Sequence, residues 1–134
     1  MLGQLESGGR FVIADFEAGL GTLTRMEPGD VDVLLVVAEP SVKALEVARR
    51  AVELIRSKNL GRTLLIANRF RAGDELLLHE AFAGLPTTVV PDDPALRAAD
   101  AAGTAPFDTS PAAPAVLTLA SLGQSLVTVP GTRP

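Results

Sequence analysis

Four short runs of apolar residues recur along the chain and predict four strands. They are residues 11–15 (FVIAD), 32–38 (DVLLVVA), 62–68 (RTLLIAN) and 87–90 (TTVV). The runs are largely unbroken, without the alternation of apolar and polar positions that marks a half-exposed strand. Unbroken runs of this kind are typical of strands that are covered on both faces.

Helical spacing of apolar residues predicts a helix over residues 41–58, between the second and third strands. Ser41 is its predicted N-cap, and Asn59 and Gly61 provide the turn chemistry that ends it. Its buried stripe is predicted to be Leu45, Ala48, Val52 and Ile55. On its exposed side, Glu46 with Arg50 and Arg49 with Glu53 are spaced as i,i+4 ion pairs. Further helices are predicted over residues 74–83, 94–102 and 115–127, with loops over residues 1–10 and 104–114.

Strands that alternate with helices predict an α/β fold. We expect one domain over residues 1–134, with three layers and a mostly parallel sheet of about four strands. In such a sheet the carboxyl ends of the strands meet at one edge, where ligands bind. The residues that follow the four strands, and so are candidates for a binding site, are 15–19, 39–41, 68–69 and 91–93.

Composition narrows the function classes. The chain has 134 residues, 47% of them apolar, and a net charge of −4. This charge gives no reason to expect nucleic acid or an anionic membrane as a partner. The absence of cysteine excludes disulfides and thiolate chemistry. No apolar run approaches the length of a membrane span, and residues 1–10 do not have the pattern of a signal peptide. We therefore expect a cytoplasmic protein.

Asp15 and Gly19 form the most suggestive local pattern. An aspartate at the end of a buried strand, followed by a glycine turn, can hold a hydrated magnesium ion and bring a backbone N–H to a phosphate. The same short pattern also fits a plain strand end with a solvated aspartate. The pattern alone leaves both interpretations open.

Four segments in order resemble MinD/ParA-type P-loop ATPases. They are ADFEAGLGTLTR, VDVLLVVAEPSVKALEVARRAVEL, LLIANR and VVPDDPALRAADAAGTAPFD. The likeness is greatest to the branch that includes the nickel-insertion accessory ATPase of carbon monoxide dehydrogenase. It extends over about residues 11–127. The resemblance implies a truncated P-loop NTPase-like fold, with ATP and magnesium as cofactors.

The resemblance also implies roles for single residues. Asp15 would be the magnesium-site acid, acting through a water molecule, and Gly19 would sense the terminal phosphate. Asn68 would hydrogen-bond the adenine edge, with Arg69 stacking or fixing that loop. The loop of Pro91, Asp92 and Asp93 would supply backbone contacts to the base. Glu39, Pro40 and Ser41 would lie at the edge of the same crevice, and Glu17 and Ala18 would fill the turn before Gly19.

The chain departs from the family pattern at the phosphate loop. That loop has the form G-x-x-x-x-G-K-[ST], but the two lysines, Lys43 and Lys58, both belong to the predicted helix over residues 41–58. The glycine-rich LESGGR precedes the first strand and lacks the lysine. We therefore expect weak or absent ATP binding and no ATPase activity by the chain alone. The metal-binding cysteines of the accessory ATPase have no counterpart either, so nickel handling does not carry over.

Other candidate chemistry is sparse. His79 is the only histidine and has no second ligand nearby in the sequence. It fits a partly exposed helix residue better than a functional one. Asp92 and Asp93 could bind a cation, but an acidic pair before Pro94 also fits the cap of the following helix.

Three functional interpretations remain. The chain could be the carboxyl-terminal part of a nucleotide-binding ATPase domain that works with a separately encoded phosphate-loop half. It could instead be a non-catalytic interaction or regulatory domain that pairs with a full-length ATPase or another partner. It could also be a remnant of a truncated gene. Self-association is a further possibility, because the family's phosphate-loop strand would lie between residues 11–15 and 32–38. Without that strand, we expect these two runs to pair directly.

Overall fold

The structure is a computed structural model that describes residues 11–16, 19–78 and 82–127. It contains three strands: β1 (Val33–Ala38), β2 (Arg62–Phe70) and β3 (Thr87–Pro91). The helices are α1 (Gly21–Arg25), α2 (Val42–Lys58), α3 (Pro94–Ala102), α4 (Pro106–Thr109) and α5 (Pro114–Val127), with a 3-10 turn at Asp74–Leu77.

The strands form a parallel sheet in the order β1-β2-β3. β1 and β2 pair from Val33 opposite Arg62 to Ala38 opposite Ala67. α2 connects β1 to β2, and a shorter segment that contains the 3-10 turn connects β2 to β3. The α/β class and the parallel sheet predicted from the sequence are confirmed.

α2 forms as its sequence predicts. The Ser41 hydroxyl accepts a hydrogen bond from the Ala44 N–H at 3.2 Å, which satisfies one free donor of the first turn. Asn59 takes the left-handed conformation, with φ of 52°, and ends the helix. The predicted stripe is buried, together with one further residue, so that the buried set is Leu45, Ala48, Ala51, Val52 and Ile55.

The exposed side of α2 carries a chain of ion pairs. Arg49 bonds both Glu46, at 2.9 Å, and Glu53, and Arg50 bonds Glu46 at 3.1 Å. Side-chain hydrogen bonds from Arg49 and then Arg50 lower the pKa of Glu46 to about 2. The two i,i+4 pairs predicted from the spacing are confirmed. Exposed pairs of this kind add little to stability.

β2 is the central strand and contributes to the core on both faces of the sheet. Its residues Leu64 to Ala67 are all buried. Leu65 and Ala67 pack in the cluster on the α2 side, which also contains Leu45, Ala48, Val52, Phe70, Leu78 and Phe82. Ile66 points to the other face and packs with Val90 of β3 and Ala115 of α5. A continuous apolar run is needed here because both faces of β2 are covered.

Asp93 joins the two helices that follow β3. Its side chain is buried, and its Oδ1 accepts a hydrogen bond at 2.9 Å from the Ala95 N–H in the first turn of α3. Its Oδ2 accepts another at 3.0 Å from the Ala115 N–H, at the start of α5. One carboxylate therefore caps two helices and holds α5 against β3.

Lys58 fastens α1 to the end of α2. Its amino group donates to the carbonyl oxygens of Leu23, at 3.3 Å, Thr24, at 2.8 Å, and Met26, at 2.5 Å. These carbonyls lie at and just beyond the end of α1, and that of Leu23 also accepts a hydrogen bond from the Met26 N–H at 3.3 Å. Met26 and Leu23 then pack with Ile55 of α2 in a small cluster at this end of the molecule.

The strand predicted over residues 11–15 is wrong. Residues 11–16 have no regular secondary structure and are exposed, with Ile13 94% exposed. The predicted direct pairing with β1 is also wrong, because β1 is the edge strand of the sheet formed by the described residues. An apolar run becomes a strand only where its N–H and C=O groups pair with a neighbouring strand, and residues 11–16 pair with none of the described strands.

Other differences concern short elements. The helix predicted over residues 74–83 is a 3-10 turn at Asp74–Leu77 that ends at Leu78, and residues 79–81, with His79, lie outside the described part. The region predicted as a loop over 104–114 contains the single turn α4. α1 has no counterpart in the prediction. In the part of the chain that the structure describes, no helix is long and apolar enough to cross a membrane.

We predict that Asp93→Ala lowers the free energy of unfolding by about 1–3 kcal/mol, because two buried N–H groups lose their acceptor. Asp93→Asn retains one oxygen acceptor, so its free energy of unfolding should lie between those of Asp93→Ala and the parent. Asp100→Ala, at an exposed position of α3, is the control. Urea unfolding measures the difference. An Asp93→Ala protein as stable as the control would contradict the double cap.

Candidate functional site

The carboxyl ends of the three strands meet at one edge of the sheet, and β2 bulges there. Asn68 and Arg69 lie between Ala67, opposite Val89, and Phe70, opposite Pro91, so two residues of β2 face one of β3. Arg69 takes a φ of 59°, which is uncommon for a residue with a side chain. Asn68 is half-buried.

The bulge directs Arg69 toward the end of β1. Its guanidinium donates to the Glu39 carboxylate at 3.1 Å, and both side chains are exposed. This contact brings together two residues that the sequence placed at the same edge. It leaves both groups accessible to solvent.

Asp92 is the most engaged carboxylate at this edge. Its side chain is only 11% exposed, and Arg71 holds it through Nε at 2.9 Å and through a second nitrogen at 2.8 Å. Arg97 of α3 bonds the other oxygen. The hydrogen bond from Arg71, followed by the charges of Arg97 and Arg71, holds the pKa of Asp92 below its ordinary value. Asp92 is therefore a charged anchor for two arginines and is poorly suited to accept a proton.

The backbone next to Asp92 is also engaged. Its N–H donates to the Phe70 carbonyl at 2.9 Å, which extends the pairing of β2 and β3 by one step. Asp93, the next residue, is the double helix cap described above. The interpretation of this acidic pair as a cap is confirmed for Asp93, whereas Asp92 forms the ion-pair cluster.

Asp15 and Gly19 belong to a different part of the chain, before α1 and β1. Asp15 belongs to the exposed segment 11–16, and Gly19 is an exposed bend residue with a φ of 131°. Such a φ favours glycine, as a switch turn would. Glu17 and Ala18, between them, lie outside the described residues. No described contact brings Asp15 or Gly19 together with Asn68, Arg69 or Asp92.

Acidic clusters and lysines are two kinds of group that bind metal ions or phosphates. No group of three or more His, Asp or Glu side chains among the described residues could hold a metal ion. The Lys58 amino group is occupied by three carbonyls at the end of α1. Lys43 is exposed near the start of α2 and follows no glycine loop. What the edge does offer is the half-buried amide of Asn68 and the exposed guanidinium of Arg69.

In comparison with known proteins, no family model matches the chain. Over 103 residues it is 32% identical to the carbon monoxide dehydrogenase accessory protein CooC of Rhodospirillum rubrum. The matched stretch covers 75% of this chain but 39% of the relative, so the chain spans about two-fifths of that protein's length. The similarity supports a relation to accessory proteins of this kind.

Sequence reasoning did not identify Arg71 and Arg97, the two residues that form ion pairs with Asp92. Arg71 lies just beyond the end of β2, and its partner Asp92 is 21 positions away in the chain. That contact depends on the pairing of β2 with β3, which no local pattern contains. Arg97 lies one turn into α3, only five positions from Asp92, and this short separation is the signal that could have pointed to the pair.

We predict that Arg71→Gln raises the pKa of Asp92 toward its ordinary value, because the strongest hydrogen bond to the carboxylate is lost. A depressed folded-state pKa stabilises the fold above the unfolded-state value, and that contribution disappears as the pH falls through the depressed one. Stability of the parent should therefore decline more than that of the variant in this acidic range. NMR titration of the Asp92 carboxyl carbon measures the shift.

Arg56→Gln, on the exposed side of α2, removes the same charge elsewhere and serves as the control. Equal Asp92 titration curves in the parent, the Arg71 variant and the control would contradict the described ion-pair cluster.

Proposed function

We propose that this chain is the base-side part of a nucleotide-binding, ATPase-like domain of the MinD/ParA class. The observation that carries the proposal is the similarity to the accessory protein CooC, supported by the position of Asn68, Arg69 and Asp92 at the carboxyl edge of the sheet. In an open parallel sheet this is the edge at which ligands bind. The protein would act in the cytoplasm.

The proposed ligand is ATP with magnesium. The residues of this chain would contact mainly its base, and a partner would contact mainly its phosphates. The Asn68 amide would read the adenine edge, and Arg69 would stack on the base or fix its loop. The backbone of Pro91 and Asp92 would border the base through carbonyl groups, since the Asp92 N–H already bonds Phe70. Asp15 would hold the magnesium ion through water and Gly19 would approach the terminal phosphate.

The phosphate half would come from another polypeptide. Within this sequence, no glycine loop with a following lysine and Ser or Thr is present to neutralise the β and γ phosphates. A separately encoded phosphate-loop half, or a full-length ATPase, is the proposed partner. Asp15 would then reach its working position only in the assembled domain, which agrees with its exposed position here.

A second candidate is a non-catalytic interaction or regulatory domain. The observation that favours it is the amount of exposed apolar surface on residues 11–16 and on β1, where Val37 is 60% exposed. A domain of this kind would bind a full-length ATPase or another partner without turning over nucleotide. Both candidates predict a protein partner, and they differ in whether nucleotide turnover appears in the complex.

We predict weak or absent ATP binding by the isolated chain, because it has base-side groups but no phosphate cradle. Calorimetric titration with ATP and magnesium measures this, and adenosine serves as the matched ligand without phosphates. Similar weak heats for both ligands would support the proposal. Submicromolar affinity for ATP would contradict it.

We predict that ATP turnover appears when the chain is mixed with an amino-terminal half of such an ATPase that carries the phosphate loop. Asp15→Asn should abolish that turnover by weakening magnesium coordination. Asp100→Asn, the same change at an exposed position of α3, should leave it intact.

Two results separate the candidates. Binding of the two halves without turnover would favour the interaction domain. Turnover that is unchanged by Asp15→Asn would remove Asp15 from its proposed role.

A further inference from the structure

β1 is an open edge with few of the features that protect edge strands. Among the described residues, only β2 pairs with it. Its sequence VLLVVA contains no charge, proline or glycine, and Leu35 and Val37 are 42% and 60% exposed. Natural proteins usually protect such edges with lysine, proline, a bulge or a covering segment.

The face of β1 that carries Leu35 and Val37 is uncovered for a topological reason. α2 packs on the opposite face, where Ala38 and Leu34 are buried. α5 packs on the same face as Leu35 and Val37, but it lies against β3. Both the outer edge of β1 and one of its faces are therefore available to a further strand.

The same chain carries a segment suited to that edge. Residues 11–16 (FVIADF) are exposed, and they include Phe11, Val12, Ile13 and Phe16. Aromatic and β-branched residues of this kind favour strands. The one charge on residues 11–16 is that of Asp15. One copy thus has a segment with strand-forming residues and, in β1, a strand with an unpaired edge. Within the single copy, the described residues of that segment do not pair with β1.

We propose that two copies of this chain exchange residues 11–16, each segment adding as a fourth strand to β1 of the other copy. The exchange uses every segment and every open β1 edge once, so it closes as a symmetric dimer. The other outer strand, β3, is short and ends in Pro91, which has no N–H to donate, so it does not extend the sheet into a fibre. The proposal concerns the chain alone and does not depend on the proposed nucleotide function.

The exchange covers the most exposed apolar residues of the two elements. Side chains of residues 11–16 on one face of the added strand would lie beside Leu35 and Val37. The outward N–H and C=O groups of β1 would gain partners as in other cases of strand addition. No charge on β1 opposes the contact.

The first test is the mass of the full chain by sedimentation equilibrium over a wide concentration range. The expected result is a species of twice the 13.9 kDa chain mass that dissociates on dilution. Hydrogen exchange should show the outward-facing amides of β1 becoming protected as the dimer forms. A monomer at every concentration would overturn the proposal, as would a series of larger species without a defined dimer.

The second test places a charge on each side of the contact. Val37→Lys charges the acceptor edge, and Ile13→Lys charges the donor segment. Both side chains are exposed in the single copy, at 60% and 94%, so neither change should unfold it. Val42→Lys, at an 81% exposed position in the first turn of α2, is the matched control. We expect monomers for the two variants and a dimer for the control.

A mixture of Val37→Lys and Ile13→Lys decides between exchange and direct pairing of two β1 strands. In the exchanged dimer, the intact segment of the first variant can still bind the intact edge of the second. The mixture should therefore form heterodimers where neither variant associates alone. Loss of the dimer in Val37→Lys but not in Ile13→Lys would show direct β1 pairing and overturn the exchange. A dimer lost equally in the control would also overturn it.

Discussion

The structure depends on β2, because it is the central strand of a parallel sheet and is covered on both faces and paired on both edges. β1 and β3 provide its partners, α2 covers one face, and α5 covers the other near β3. The four consecutive buried residues from Leu64 to Ala67 belong to both layers of the core. Among the described residues, helices and neighbouring strands cover β1 less completely than β2, so β1 has one open edge and one open face.

A polar interaction fixes the position of α5, which packs on the face of the sheet opposite α2. α5 has no charged residue, and its contact with the sheet is small and apolar. The buried carboxylate of Asp93 selects its position, since it accepts hydrogen bonds from the first turn of α5 and from α3 at once. A buried carboxylate is favourable only with such partners, so the two helix starts and Asp93 require one another.

The carboxyl edge of the sheet combines order with exposure. Asp92 is fixed by two arginines and a bulged strand, whereas Arg69 and Glu39 remain exposed beside it. The edge therefore combines a fixed ion-pair cluster with guanidinium and carboxylate groups that solvent can reach.

The sequence by itself determined the elements whose signals are local. The stripe and caps of α2, the cap and glycine end of α3, and the apolar runs of β1, β2 and β3 depend on residues close to one another in the chain. Residues 11–15 have the same kind of run, yet they form no strand, because a strand requires a neighbour that sequence periodicity does not reveal. The tertiary structure alone decided this, and it alone brought Arg71 to Asp92 and Ala115 to Asp93. Those two contacts join residues 21 and 22 positions apart in the chain, and their formation depends on how the sheet and helices pack.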